Sequence, residues 1–291
     1  MVNELSCVVE CSDLLGEGPV WSVQEQTLYW VDIVGRAARS YSPSTGQRRE
    51  WSMPSEIGAL ALRTCGGALV ALRSGFALLD LHTGALTAVC DPEPAQPDNL
   101  FNDGACDRAG RFWAGTLHQD EIEPLGSLYR LGADLDCTRM LSDLVIANGM
   151  GWSPDDRTMY FTDSGHGRIY AFDYDLERGE LSSQRTFAEV DERDGVPDGL
   201  TVDSDGYVWA ALWDGGAIRR YAPDGKLAEI IELPVPRPTS CAFGGPELST
   251  LFITSARDGL DERTLHEAPL SGSVLALETA VTGIPEPTFG A

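Results

Sequence analysis

Short apolar segments separated by polar turns run the length of the 291-residue chain. The segments hold about four to seven residues, are rich in Val, Ile, Leu, Trp, Tyr and Phe, and are bounded by Gly or Pro at many of the breaks. This pattern is typical of β-strands joined by tight turns. Since no helical period of apolar residues persists beyond two turns, the chain is predicted to be all-β.

One apolar strand recurs six times, at intervals of 40 to 48 residues. The copies occupy residues 28–32, 68–72, 111–115, 159–163, 207–211 and 251–255. A second strand follows each copy and a shorter one precedes it. Six units of three or four strands and of this size predict a six-bladed β-propeller. An antiparallel sandwich or two small barrels would also contain many short strands, but neither accounts for six nearly equal periods.

The whole chain, residues 1–291, is expected to form a single propeller domain. Segment 5–11 has strand-like residues but no place among the six units. We expect it to pair with the last unit and to close the ring.

The charge balance limits the partners. The chain has 21 Lys and Arg residues against 45 Asp and Glu residues, a formal net charge of −24. The negative electrostatic potential of such a protein repels nucleic acid and anionic membrane surfaces, and it disfavours phosphorylated substrates. Lys226 is the only lysine and lies in a turn-like stretch, which argues against Schiff-base chemistry.

Other sequence features concern location. No apolar run approaches the length needed to cross a bilayer, and the first twenty residues lack the marks of a secretory signal. Seven cysteines without a C-x-x-C pair indicate neither a disulfide framework nor a structural zinc site. We therefore expect a cytoplasmic protein without membrane or nucleic-acid partners, present as a monomer or a weak dimer.

Polar residues recur at one position of the repeat, just before the innermost strand of each unit. In a propeller these strands line the central channel, so groups at their entrances converge on the axis. The side chains expected to meet there are Glu17, Asn102, Asn148 and Asp198.

Carboxylate and amide oxygens suit Ca²⁺, Mg²⁺ or Mn²⁺, while zinc could bind through the carboxylates. Asn-Gly and Asp-Gly are also ordinary turn dipeptides, so a single copy would not indicate a site. Glu17 is the strongest member, because a Glu between glycines and before Pro19 is a poor turn residue and a costly buried charge without a cation.

Other chemical motifs are missing from the sequence. The four histidines are scattered and form no H-E-x-x-H pattern. There is no G-x-S-x-G elbow of a serine hydrolase, no G-x-G-x-x-G turn and no P-loop.

Four motifs stand out together: Leu15-Gly16-Glu17-Gly18-Pro19-Val20-Trp21, Phe101-Asn102-Asp103-Gly104, Asn148-Gly149-Met150-Gly151-Trp152-Ser153-Pro154-Asp155 and Pro197-Asp198-Gly199. With them, the chain resembles the senescence marker protein, gluconolactonase and luciferin-regenerating family, which includes regucalcin and bacterial sugar lactonases. The stretch at 254–260 resembles the bacterial aldonolactonase branch.

The resemblance implies a six-bladed propeller that holds one divalent cation (Ca, Zn, Mn, Mg or Fe) and hydrolyses sugar lactones. It makes Glu17, Asn148 and Asp198 the direct metal ligands. Asn102 would contact the substrate or a metal-bound water, and Asp120 falls where many members place a substrate-contacting acid. Leu100 stands where members often have an Arg, so a guanidinium contact to sugar hydroxyls is lost.

These features support metal-assisted hydrolysis of a sugar aldonolactone, of the gluconolactonase or pentonolactonase type, with Asp198 activating the attacking water. A neutral lactone enters an acidic protein without repulsion, and the anionic product leaves readily. Two alternatives remain open: a metal-dependent esterase or phosphotriesterase on the same scaffold, and a non-catalytic calcium-binding regulatory propeller.

Overall fold

The computed structural model describes residues 5–290. Within them, 24 strands form six antiparallel sheets of four strands each. The sheets are the blades of a β-propeller, and the predicted fold class is confirmed.

The strands are numbered in chain order. The first, β1, spans Leu5–Val9. Blade 1 follows with β2 (Gly16–Ser22), β3 (Thr27–Asp32), β4 (Ala37–Ser42) and β5 (Gln47–Ser52). Blade 2 has β6 (Ile57–Leu62), β7 (Ala68–Leu72), β8 (Gly75–Leu79) and β9 (Leu86–Cys90). Blade 3 has β10 (Asn99–Cys106), β11 (Phe112–His118), β12 (Gly126–Leu131) and β13 (Cys137–Leu144).

The second half repeats the arrangement. Blade 4 has β14 (Ala147–Trp152), β15 (Thr158–Asp163), β16 (Arg168–Asp175) and β17 (Glu180–Glu189). Blade 5 has β18 (Val196–Val202), β19 (Val208–Trp213), β20 (Ala217–Tyr221) and β21 (Leu227–Glu232). Blade 6 has β22 (Pro238–Gly244), β23 (Thr250–Ser255) and β24 (Val274–Glu278), with β1 as its fourth strand.

Helical structure is confined to short connections. Two 3-10 turns span Ser164–His166 and Glu192–Asp194, and one short helix, α1, spans Glu262–Glu267. The Asp261 side chain caps α1 by accepting a hydrogen bond from the Thr264 backbone N–H at 2.8 Å. Between residues 5 and 290, no helix combines the length and apolar character needed to span a bilayer.

Both ends of the described chain contribute to blade 6. Strand β1 pairs antiparallel with β24, with Leu5 opposite Leu277, and forms the outer edge of the sheet. The N-terminal strand is therefore held by ladder hydrogen bonds to the last strand.

Each innermost strand carries a β-bulge near its start. The pairing register shifts between Glu17 and Val20 in blade 1, and at the corresponding place in the other five blades: Ile57/Ala59, Phe101/Gly104, Ala147/Met150, Pro197/Leu200 and Pro238/Cys241. A bulge leaves residues out of the ladder and changes the direction of their side chains. The recurring polar position of the sequence lies on these bulges.

Part of the acidity of the chain is structural. Asp107 accepts a hydrogen bond from Trp113 Nε1 at 2.9 Å, and Asp203 accepts one from Trp209 Nε1 at the same distance. Both carboxylates are fully buried and are also ion-paired with an arginine. Asp107 fixes the turn before β11, and Asp203 fixes the turn before β19 in the same way.

The segment after β24 crosses the far end of the channel. Gly283 N donates to Leu248 O at 2.8 Å, and Phe289 N donates to Leu62 O at 2.8 Å. Leu62 is the last residue of β6, whereas the bulge lies at the start of that strand. The C-terminal segment and the ring of bulges therefore occupy opposite ends of the innermost strands.

Candidate metal and substrate site

Glu17 lies on the bulge of β2 and is only 4% exposed. Its Oε2 accepts a hydrogen bond from the Gly18 backbone N–H at 2.8 Å. Burial raises the pKa of Glu17 well above its ordinary value, and the negative charges of Asp198 and Asp103 raise it further. Three acidic side chains from three different blades thus influence one another at the axis.

Asn148, on the bulge of β14, is held in one orientation. Its Nδ2 donates to Ser164 Oγ at 3.1 Å, and Ser164 Oγ donates to Pro197 O at 2.7 Å. Because the serine hydroxyl has a single proton, which it gives to Pro197, it can only accept from Asn148. The amide nitrogen therefore faces Ser164, and the amide oxygen, which accepts from Gly149 N at 3.1 Å, keeps acceptor capacity for a ligand.

Asp198, on the bulge of β18, is 6% exposed. Burial raises its pKa well above the ordinary value, and the charge of Asp103 adds to the increase. A hydrogen bond with Asn148 acts in the opposite direction, while Glu121 raises the pKa again. Asp198 is thus near both a predicted ligand, Asn148, and an acid of the loop between β11 and β12.

Asp103 is a site residue that the sequence analysis missed. It is buried, and its Oδ1 accepts a hydrogen bond from Gly104 N at 2.6 Å. Burial raises its pKa to about 6. A signal was available, because Asp103 shares the repeat position with Asn102, and both residues fall within the bulge of β10.

Asn102 connects neighbouring blades. It is half-buried, and its Nδ2 donates to Ala147 O at 3.0 Å, the residue before Asn148. Asn102 therefore lies at the same end of the channel as the predicted ligands.

The two remaining predicted residues lie further out. The Asp120 side chain is 68% exposed, and its Oδ2 is 3.7 Å from His118 Nδ1. Its neighbour Glu121 is the acid that acts electrostatically on Asp198. Leu100 is half-buried on β10 and lies opposite Leu117 of β11.

Glycines allow the bulges to approach one another. A Cβ on Gly149 would lie 2.6 Å from Asp198 O, and one on Gly58 would lie 2.3 Å from Phe101 O. Side chains cannot tolerate such distances, so the backbone of one blade would have to move away from the next. Gly58 and Gly149 therefore determine how closely neighbouring blades approach each other at the bulges.

The donor set fits a hard divalent cation. Glu17, Asp103 and Asp198 are buried, and no basic side chain counts among the groups that shift their pKa values. Burying three carboxylates is costly unless they are protonated or balanced by a cation. Within residues 5–290, no group of three or more His, Cys, Asp or Glu side chains has the arrangement of a metal site by itself. The amide oxygen of Asn148, which keeps acceptor capacity, would add a neutral oxygen donor to these carboxylates.

The fold and this site define a six-bladed propeller with an acidic, oxygen-rich centre at one end of its channel. Residues 15–257 match the family model described as SMP-30/Gluconolactonase/LRE-like region. The chain belongs to this family, and the resemblance seen in its motifs is confirmed.

Several relatives match over almost their full length. The chain is 40% identical to 6-deoxy-6-sulfogluconolactonase of Pseudomonas putida, with 99% of both proteins covered. It is 37% identical to regucalcin of Xenopus laevis, with 98% of both covered. Among solved structures, the calcium-binding protein regucalcin of Agrobacterium tumefaciens has a TM-score of 0.93 at 31% identity, covering 97% of this chain and 96% of that one.

Proposed function

We propose that the protein hydrolyses a sugar aldonolactone to the aldonic acid with the help of one divalent cation. The observation that carries the proposal is the placement of Glu17, Asn148 and Asp198 on three bulges at one end of the channel, with both carboxylates buried and the amide oriented. The names of the lactonase relatives support the reaction class.

Glu17, Asn148 and Asp198 would hold the cation. When bound, a divalent cation polarises a lactone carbonyl and stabilises negative charge on its oxygen. Asp198 accepts the proton of the attacking water. Water adds to the carbonyl carbon, the ring C–O bond breaks, and the proton passes to the ring oxygen, which becomes a hydroxyl group. Asn102, beside the ligands, would orient the substrate by hydrogen bonding.

The donor chemistry limits the choice of cation. Oxygen ligands favour Ca²⁺, Mg²⁺ or Mn²⁺, while zinc and iron also bind carboxylates. Metal stripping followed by addition of a single cation at a time identifies which one restores activity.

We also propose that Leu100 lies beside the bound sugar, where its side chain offers neither a charge nor a hydrogen bond to the hydroxyls. The relative from Pseudomonas putida is named for a 6-deoxy-6-sulfogluconolactone, so a sulfonated lactone belongs in the substrate panel beside glucono-, galactono- and pentonolactones.

The test is acid release in a weakly buffered indicator solution, with and without chelator. Asp198→Asn should abolish hydrolysis on every lactone, whereas Asp205→Asn, at an exposed position in the turn after β18, should leave it unchanged. An Asp198→Asn protein that retains near-normal turnover would exclude the proposed mechanism. Aryl esters and a phosphotriester in the same assay test the esterase and phosphotriesterase alternative.

The regucalcin relatives favour a second candidate, calcium binding without catalysis. The same site would serve both functions. Cation binding that Asp198→Asn removes, together with no chelator-sensitive acid release from any lactone, would support this candidate. We place the protein in the cytoplasm, as a monomer or weak dimer, within the same proposal.

A further inference from the structure

One face of blade 1 is polar where it meets blade 2. The strand register places Tyr29 opposite Ser40 and Ser40 opposite Arg49, which forms one row across three strands. Ser42 and Gln47 pair in the next row on the same face. Side chains alternate between faces along a strand, so these residues share a side that faces the neighbouring blade.

A groove of about 830 Å³ separates this face from blade 2. Its far wall includes Arg63 in the turn that follows β6. This turn lies at the opposite end of β6 from the bulge at Gly58, so the groove is distinct from the candidate metal site. Its volume is in the range of small-molecule sites in proteins.

Two arginines in the groove form no ion pair with any carboxylate of the described residues, 5–290. Between residues 5 and 290, 13 of the 20 arginines form an ion pair with a carboxylate. Arg49 and Arg63 belong to the other seven, in a chain that has 45 acidic residues. Their charges are therefore available to a ligand.

Each guanidinium group is positioned by the protein. Arg49 Nη2 donates to Leu81 O at 2.5 Å, and its Cζ lies 4.7 Å from the centre of the Trp51 ring. Arg63 Nη1 donates to Gly66 O at 3.4 Å, while its Nε is buried with no hydrogen-bond partner in the described structure. A ligand in the groove would therefore meet the terminal nitrogens of Arg63 rather than its shielded Nε.

The two carboxylates in the groove are already engaged. Glu25 accepts a hydrogen bond from the Tyr29 hydroxyl, and Asp80 accepts from the backbone N–H groups of His82 and Thr83 at 2.7 and 2.9 Å. Neither forms an ion pair with Arg49 or Arg63 within residues 5–290. The groove thus presents two cationic groups beside a row of hydroxyls.

We propose that this groove is a second, non-catalytic binding site for a small hydroxylated oxyanion of the sugar-acid class. Arg49 and Arg63 bind the carboxylate, because guanidinium groups match the geometry of an oxyanion. The hydroxyls of Ser40, Ser42 and Tyr29 line the space beside it and bind the hydroxylated carbon chain. This site is independent of lactone hydrolysis at the channel axis.

Calorimetric titration of the cation-loaded, full-length protein with gluconate tests the proposal. Arg49→Gln and Arg63→Gln should each weaken the binding about tenfold or more, since each removes a charge-assisted hydrogen bond. Arg48→Gln is the matched control, because Arg48 pairs with Tyr41 on the opposite face of the blade. It should bind gluconate as the unmodified protein does.

Two further measurements separate the groove from the axis. Asp198→Ala should retain the gluconate binding, and Arg63→Gln should retain lactone hydrolysis. Sorbitol, a neutral polyol of similar size, should not bind. Complete loss of gluconate binding in Asp198→Ala, equal binding of sorbitol, or unchanged affinity in both arginine variants would each overturn the proposal, as would the absence of saturable gluconate binding.

Discussion

The Ser164 hydroxyl lies 3.1 Å from the amide nitrogen of Asn148 and determines which end of that amide faces the channel. Ser164→Ala removes this contact and allows the amide to rotate. We expect cation affinity to fall about tenfold or more while the fold is retained, as is typical when a group that orients a metal ligand is removed.

Calorimetric or fluorimetric cation titration measures this effect. Ser142→Ala, at an exposed position on β13 of blade 3, is the control and should bind the cation as the unmodified protein does. Normal affinity in Ser164→Ala would show that the orientation of Asn148 does not depend on this hydroxyl.

The close approach of blades 4 and 5 gives a second prediction. Gly149→Ala would place a Cβ 2.5 Å from Leu200 N, a backbone atom that cannot move alone. We expect a loss of stability of about 1–3 kcal/mol and a loss of cation binding, because the two bulges must separate. Gly151→Ala, two residues along β14, meets only side-chain atoms at 3.0 and 3.1 Å and should be much milder. Equal effects of the two substitutions would show that neither stability nor cation binding depends on the close approach of the two bulges.

Glu121, in the loop between β11 and β12, gives a third prediction. Glu121 acts on the pKa of Asp198, whereas the Asp120 side chain is exposed and near His118. Glu121→Gln should therefore alter the KM and the pH profile of lactone hydrolysis more than Asp120→Asn does. Steady-state kinetics from about pH 5 to about pH 9, the range in which a raised carboxyl pKa is visible, compare the two variants. A larger effect of Asp120→Asn would instead support the substrate contact that the family resemblance implies for Asp120.

Glu286 makes stability depend on pH. Its carboxyl lines the channel cavity near the C-terminal segment, and burial raises its pKa from 4.5 to about 7, although Arg108 opposes the increase. A carboxyl whose folded-state pKa is raised stabilises the fold only while it stays protonated, so this contribution is lost as the pH rises from about 4.5 to about 7.

Glu286→Gln should therefore be more stable than the unmodified protein above about pH 7, by about 1–3 kcal/mol, and the difference should shrink toward pH 4.5. Urea denaturation across this range measures it. Glu247→Gln, at an exposed turn, should show no such trend. A Glu286→Gln difference that does not vary with pH would contradict the assignment.

The period of apolar strands predicted the six blades because every blade repeats the same buried strand. The bulges could not be predicted in this way, because a register shift depends on how two strands pair and leaves no mark in hydrophobicity. The repeat position draws attention to Asn102 and its neighbour Asp103, but only the register shift shows that both residues lie on the bulge of β10. The crossing of the channel by residues 283–290 could not be predicted either. This segment shows neither an alternation of apolar and polar residues nor a helical period, and it is held by backbone hydrogen bonds to residues far away in the sequence.

The groove between blades 1 and 2 becomes visible only when the strand register aligns Tyr29, Ser40 and Arg49.

The pairing of β1 with β24 affects how the chain is made. Strand β1 has no ladder partner until Val274–Glu278 has been synthesised. During translation, blades 1 to 5 can form an open arc, and blade 6 can be completed only after β24 has emerged. Closure of the ring is therefore a late, long-range event that joins Leu5 of β1 to Leu277 of β24.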